Sequence, residues 1–330
     1  MSAVLGERPA AEADAPPSEP SRTAAGRWRR GWGVSAGAVL CALLMALHSL
    51  VPNGFGNLGS LWQTLLPWSG LGVVALAVLA WVRRSALAAA AVLVPAVVWC
   101  SLFVGVLGDK RSEGGNLTVV SHNVKEENED PGRTARALAA SGADVLALEE
   151  LSRASTAAYE RELARAYPYS AVRGGIGIWS RLPLSAVAPV EIMPWTRAVR
   201  ATVETPQGPV ALYAAHLASV RVHPTTGFAT AQRNEAAAKL ADAVRAERLP
   251  RVVVAGDFNG SADDSALGPL TGFLRSAQEE AGDGFGFTWP ASFPVVRIDH
   301  ILVKGVTSVA AWTLPGTGSD HLPVAASLRL

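Results

Sequence analysis

Six short motifs carry side chains that could do chemistry together: Ser121-His122-Asn123, Glu149-Glu150, Ala215-His216-Leu217, Gly256-Asp257-Phe258-Asn259, Arg297-Ile298-Asp299-His300 and Ser319-Asp320-His321. Each adjoins a short β-branched run, so each lies at the end of a predicted strand. Carboxylates, amides and imidazoles at strand ends can converge on one edge of packed sheets. Their oxygens are hard ligands that suit Mg²⁺ or Mn²⁺, and no Cys or His spacing suggests a zinc cage. With histidines and an amide alongside, the set reads as metal-assisted phosphoryl transfer, which needs positioning and charge neutralisation more than covalent help. Each piece alone is weak. Glu149-Glu150 by itself reads as a solvated strand end, Asp-Phe-Asn as a turn, and His122 as a packing residue; the signal is their joint order.

The elements that must position these residues follow from hydrophobic pattern. Short β-branched runs bounded by Gly, Pro or Asp predict strands over 117–121, 145–148, 176–179, 198–203, 210–215, 252–255, 298–303 and 324–330. Apolar spacing of three and four predicts helices over 133–140, 154–166 and 229–246. Strands outnumber helices and several are consecutive, so mixed or antiparallel sheets are expected. No helix pattern follows Gly174-Gly175-Ile176-Gly177, which therefore reads as a strand entry and not as a phosphate loop.

The first third is different. No Asp, Glu, Lys or Arg occurs in residues 31–82 or 85–108. Divided at the turn composition Pro52-Asn53-Gly54-Phe55-Gly56-Asn57 and at Arg83-Arg84, these stretches predict three spans, 32–51, 61–82 and 86–107, each near the ~20 apolar residues that cross a bilayer. Arg22, Arg27, Arg29 and Arg30 precede the first span, and Arg83-Arg84 separates the second from the third. The positive-inside bias then puts the N-terminus in the cytoplasm and everything after residue 108 outside. The expected organisation is a disordered cytoplasmic tail (1–30), three transmembrane helices (31–108), a linker (109–116) and an extracytoplasmic domain (117–330). The chain has two cysteines, Cys41 and Cys100, both inside predicted spans, which excludes a disulfide scaffold. Its net charge of +1 excludes a strongly basic nucleic-acid binder at the level of the whole chain.

The order Asn123, Leu148-Glu149-Glu150, Gly177-Ile178-Trp179-Ser180-Arg181, His216, Gly256-Asp257-Phe258-Asn259, Arg297-Ile298-Asp299-His300, Ser319-Asp320-His321 resembles the endonuclease/exonuclease/phosphatase (DNase I-like) superfamily over nearly all of residues 116–330. One departure is Glu149, where the superfamily usually has Gln; the neighbouring acid, Glu150, is retained. The resemblance implies an α/β (α+β) four-layer sandwich following the three-helix membrane region. It also implies Glu150 as principal metal ligand with Asn123 beside it, and Asp320 as a further metal contact. Asp257 would orient or deprotonate the attacking water, and Asn259 would hydrogen-bond the phosphoryl oxygens. His321, held by Asp299, and His216 would be the phosphate-side histidines. No acid that would orient His216 is identifiable from the sequence.

Fold does not fix substrate here. Residues 117–330 hold 20 Lys/Arg against 22 Asp/Glu, whereas a polyanion-binding nuclease usually shows a basic excess. The link between the third span and the first strand, residues 108–116, reaches at most roughly 30 Å when extended. A domain so tethered suits a lipid headgroup. The layout resembles the VanJ-type teicoplanin-resistance membrane proteins, which implies action on undecaprenyl pyrophosphate at the outer leaflet, cell-wall precursor recycling and glycopeptide resistance. The expected partners are the bilayer and a lipid phosphate or pyrophosphate; no stable nucleic-acid partner or protein partner is expected. The alternatives are a membrane-tethered nuclease or phosphodiesterase, and a non-catalytic binding domain.

Overall fold

The computed structural model describes residues 31–54, 56–223 and 227–330; the tail expected over 1–30 lies outside them. The apolar third forms helices α1 (Trp32–Ala46), α2 (Leu58–Thr64), α3 (Ser69–Val82) and α4 (Ala86–Leu107). Among the described residues only α4 is by itself long and apolar enough to cross a membrane. It has 22 residues, yet little of it is buried in the protein, as Leu93, Val97 and Val104, each at least half exposed, illustrate.

The two other spans differ from expectation, for local reasons. Helix α1 stops at Ala46, where the His48 Nδ1 atom hydrogen-bonds the Met45 carbonyl at 2.9 Å, and Val51, facing Pro52, is extended (φ −64°, ψ 118°) as residues before proline prefer. At 15 residues it is about 22 Å long, short of the ~30 Å hydrocarbon core. The second stretch breaks near Pro67, which lacks an N–H and opens a new turn; its halves, Leu58–Thr64 and Leu66–Val82, meet at a 66° bend.

The remainder is a sandwich. Strands β1 (Leu117–Asn123), β2 (Val145–Glu149), β3 (Tyr169–Arg173), β4 (Ile176–Ser180), β5 (Leu184–Pro189), β6 (Ala198–Thr205), β7 (Gly208–His216), β8 (Arg221–His223), β9 (Gly227–Ala229), β10 (Val252–Asp257), β11 (Arg275–Ser276), β12 (Asp299–Lys304), β13 (Thr307–Thr313) and β14 (Val324–Arg329) are joined by helices α5 (Pro131–Ala140), α6 (Arg153–Leu163), α7 (Ala231–Arg245), α8 (Gly268–Thr271) and α9 (Ala277–Ala281). Two six-stranded sheets result, ordered β13-β14-β1-β2-β4-β3 and β11-β12-β10-β7-β6-β5. Each is mixed: β1 runs parallel to β2 and β7 to β10, with antiparallel neighbours elsewhere. The Gly174–Gly177 run enters β4, as its lack of a helix pattern suggested.

The alternation of side chains across each strand builds the layers. On β10, Val253 and Ala255 join the core between the sheets, while Val252 and Val254 pack outward against Leu240 and Val244 of α7. On the other sheet, Val119 and Val145 point inward; Val120 and Leu146 pack outward beneath α5 and α6, against Leu138 and Leu163. Burial on both faces explains why the central strands are continuous apolar runs such as Val252–Ala255.

The helical region is docked on this sandwich. Gln63, fully buried, accepts hydrogen bonds at Oε1 from the Ser265 backbone N–H (2.8 Å) and hydroxyl (3.1 Å), and its Nε2 donates to the His48 carbonyl at 2.7 Å. Ser60 Oγ donates to Asp264 Oδ1 (3.2 Å), and Trp68 Nε1 to the Val295 carbonyl (2.7 Å). Phe287 stacks on Trp68 with ring centroids 5.8 Å apart.

Candidate active site

Register delivers the chemical residues to one edge. Asp257, the last residue of β10, lies directly opposite His216 on β7 and Asp299 on β12. Asn123 lies opposite Glu149 at the ends of β1 and β2. Packing the two sheets face to face brings these rows together. The approach of β10 to β7 demands glycine immediately before Asp257: Gly256 has φ +152°, and a Cβ there would sit 1.7 Å from the Ala215 carbonyl oxygen. Just past the strand ends, Glu150 and Asn259 adopt left-handed backbone, φ +60° and +49°, turning their side chains off the ladder.

Asp257 is the hub. Its Oδ2 accepts from Asn123 Nδ2 at 3.0 Å and Asn259 Nδ2 at 3.3 Å, and its Oδ1 accepts from the Asn259 backbone N–H at 2.9 Å. The Nε2 atoms of His216 and His321 lie 3.5 and 3.8 Å from Oδ2. Asp299 holds His321 through Nδ1, 2.9 Å from Oδ2, and Ser319 Oγ donates to the Asn123 carbonyl at 2.7 Å while accepting from the His321 N–H at 3.1 Å. Glu150 Oε1 is 3.7 Å from His216 Nε2. The sequence motifs are thus one cluster, and ligand atoms of Asp257, Asp299 and His321 lie within 4.8 Å of one another.

Asp320 is the exception. It is exposed, and its backbone carbonyl accepts from the Ala291 N–H at 2.7 Å. Asp257 and Asp299 lie at the centre with His321.

Two site residues escaped the sequence reading of roles. Glu149 is fully buried; Ser121 Oγ donates to its Oε1 at 3.2 Å, and among the described residues its Oε2 has no hydrogen-bond partner. The other is Arg197, whose Nη1 contacts His216 Nδ1. Arginine only donates, so Nδ1 must accept and the ring proton sits on Nε2. The group that orients His216 is therefore a cation and not an acid. Nothing in the spacing of an arginine one residue before β6 could have signalled this contact.

The electrostatics separate the two histidines. Burial, with the Arg197 and His321 charges adding to it, lowers the His216 pKa to about 4, against an upward pull from Asp257. Burial also presses His321 down, but the charge and hydrogen bond of Asp299 and the charge of Asp257 outweigh it and raise the pKa to about 10. Near neutral pH His216 is a neutral donor and His321 an imidazolium. Burial, followed by the charges of Asp299 and Asp257, pushes the Glu149 carboxyl well above its usual range. Burial and Asp299 likewise raise Asp257, against the nearby histidines.

Two packed mixed sheets flanked by helices, with Asp, Asn and His at one edge, define a DNase I-like sandwich of the hydrolase type. The profile of the endonuclease/exonuclease/phosphatase family matches residues 120–321, and the chain belongs to that family. No curated protein matches it. Among solved structures it is similar to beta toxin from Staphylococcus aureus (15% identity over 64% of this chain and 99% of that one, TM-score 0.52). It is also similar to an endonuclease/exonuclease/phosphatase from Beutenbergia cavernae (19% identity over 66% and 72%, TM-score 0.51). A third similar structure is a humanised TDP2 of D. rerio (19% identity over 65% and 99%, TM-score 0.52). At these identities the likeness establishes the fold.

Proposed function

We propose that this chain is a metal-dependent phosphohydrolase at the outer membrane face that cleaves a lipid-linked phosphate or pyrophosphate, with undecaprenyl pyrophosphate the leading substrate. The carrying observation is the union of a hydrolase-type site with an apolar helix, Ala86–Leu107, that is mostly not buried in protein. Such a helix leaves Leu93, Val97 and Val104 without cover in water, and lipid removes that cost. Three spans with the N-terminus inside are the topology we assign, with the bent Leu58–Val82 stretch and the short α1 completed by their surroundings. The VanJ-type layout supports roles in precursor recycling and glycopeptide resistance.

The site chemistry supports a divalent cation. Carboxylate oxygens of Asp257 and Asp299 converge, Glu150 stands 3.7 Å from His216, and among the described residues the buried Glu149 Oε2 has no hydrogen-bond partner. These hard donors fit Mg²⁺ or Mn²⁺. Glu150 and Asn123 would hold the ion, which when bound would supply positive charge to the phosphoryl oxygens and ease deprotonation of water. The rest falls to the protein. Asp257, its basicity raised by burial, receives the proton of the attacking water. Asn259, the His216 Nε2–H and the His321 imidazolium donate to the phosphoryl oxygens as charge builds and the bond to the leaving phosphate breaks.

The test is phosphate release from undecaprenyl pyrophosphate by detergent-purified protein with Mg²⁺, run beside plasmid nicking. Lipid hydrolysis without nicking supports the proposal. Nicking without lipid hydrolysis replaces it with a tethered nuclease, and neither activity leaves the binding-domain alternative.

A further inference from the structure

Between α3 and α4 lies a cleft of 440 Å³ lined by apolar side chains that include Trp68, Val74, Trp99 and Cys100, closed at one end by Phe285 and Phe287 of the sandwich. Pro67, Phe285 and Phe287 also line a second cavity of 510 Å³. The walls of that one are mixed: Leu102, Phe103 and Val106 stand with the Thr64, Ser261 and Thr271 hydroxyls, the Arg297 guanidinium and the Asp263 and Glu279 carboxylates. Ser261 is two residues beyond Asn259, and Arg297 is two residues before Asp299. The two hollows adjoin at Pro67, Phe285 and Phe287, which line both. Both volumes fall in the ~300–1,000 Å³ range of ligand pockets.

We infer that the apolar cleft is a binding site for the hydrocarbon chain of the substrate. This rests on the lipid-phosphate reading and goes beyond it, because it makes the membrane helices part of substrate recognition. Three observations favour a lipid chain over other occupants. One wall is α4, the helix apolar enough to cross a bilayer, so the cleft lies where hydrocarbon is the surrounding solvent. Cys100 is seven residues from the end of α4 at Leu107, about 10 Å along the helix, which in the assigned topology is the outer half of the membrane. The far end is roofed by the sandwich through the Trp68–Phe287 stack and the Trp68–Val295 hydrogen bond, so a chain seated there is held against the catalytic domain.

The test compares kcat/KM of the full-length protein for undecaprenyl pyrophosphate with that for dimethylallyl pyrophosphate, which has the same head on a five-carbon chain. Wild type should favour the long chain. Cys100→Trp and, from the facing helix, Val74→Trp should each cut that preference at least about tenfold, the loss expected when several methylenes go unburied. A wild-type enzyme indifferent to chain length overturns the inference without any variant. So does a preference kept by either variant in folded form, and in both cases the lipid-phosphate reading survives. Release of phosphate from neither substrate, by contrast, overturns that reading and the inference with it.

Discussion

Asp257 concentrates the chemistry, since two amides donate to it and two imidazoles face it. Asp257→Asn should lower kcat by about 10²–10⁴, the range for loss of a positioned proton acceptor, with little change in melting temperature; a phosphate-release assay on folded protein checks this. Arg197 acts through His216. Arg197→Met should lower kcat through a misoriented ring, and Arg197→Lys should restore part of it by again donating to Nδ1; equal activity of both variants and wild type would show the contact to be idle. Sequence order was enough to recognise Asn123, Glu150, His216, Asp257, Asn259, Asp299 and His321 as one set, because each occupies a strand end. The resemblance favoured Glu150 over Glu149 as the metal ligand, but the sequence held no physical reason for that choice. Only the structure shows that the last ladder position of β2 turns Glu149 into the core, while a left-handed residue swings Glu150 outward. Asp320 next to His321 in sequence was likewise no guide to its side chain, which stays exposed.

At the scale of elements, the loop after β10 is braced from both sides. Arg233 of α7 and Asp264, both fully buried, pair at 2.7 Å. Arg233 Nη1 also donates to the Asn259 carbonyl at 3.2 Å, and Asp264 accepts from Ser60 of the helical region. Asp264→Ala strands a buried guanidinium and should cost about 3–5 kcal/mol; because Asn259 shifts with it, kcat should fall more than KM changes. Chemical denaturation and steady-state kinetics read the two effects separately. Elsewhere, Glu247 ties the start of the loop after α7 to the second sheet. Burial raises its pKa, but the Leu249 N–H, Arg200 and Tyr213 hydrogen bonds prevail and hold it at about 2. A folded pKa below the unfolded one gives stability that is present above the unfolded carboxylate range and lost as pH falls toward 2. Melting temperature should therefore fall more steeply between about pH 5 and pH 2 for wild type than for Glu247→Gln, which has no carboxylate there to protonate. The long, buried strands were legible because apolar runs mark them. Strands β3, β5 and β13 were not, since edge strands such as β5, half exposed along its length, lack that run. The breaks in the apolar third were also hidden, because hydropathy averages over the His48 and Pro67 turns that end the helices.

For the whole molecule, the apolar helices and the hydrolase sandwich pack as one body. Gln63, Ser60 and Trp68 bind the two so closely that the helices are part of the enzyme's framework. The assigned topology places Leu330 outside and the Arg83-Arg84 turn inside; a C-terminal tag reached by protease only after membrane rupture would contradict it. The central claim, metal-dependent cleavage of a lipid phosphate by the Asp257–His321 cluster, is tested most directly by phosphate release from undecaprenyl pyrophosphate in vesicles. Wild-type protein with Mg²⁺ should release phosphate, EDTA should abolish the release, and Asp257→Asn should slow it at least about 10²-fold. Release that persists in EDTA, or that stays at the wild-type rate in Asp257→Asn, would contradict this reading.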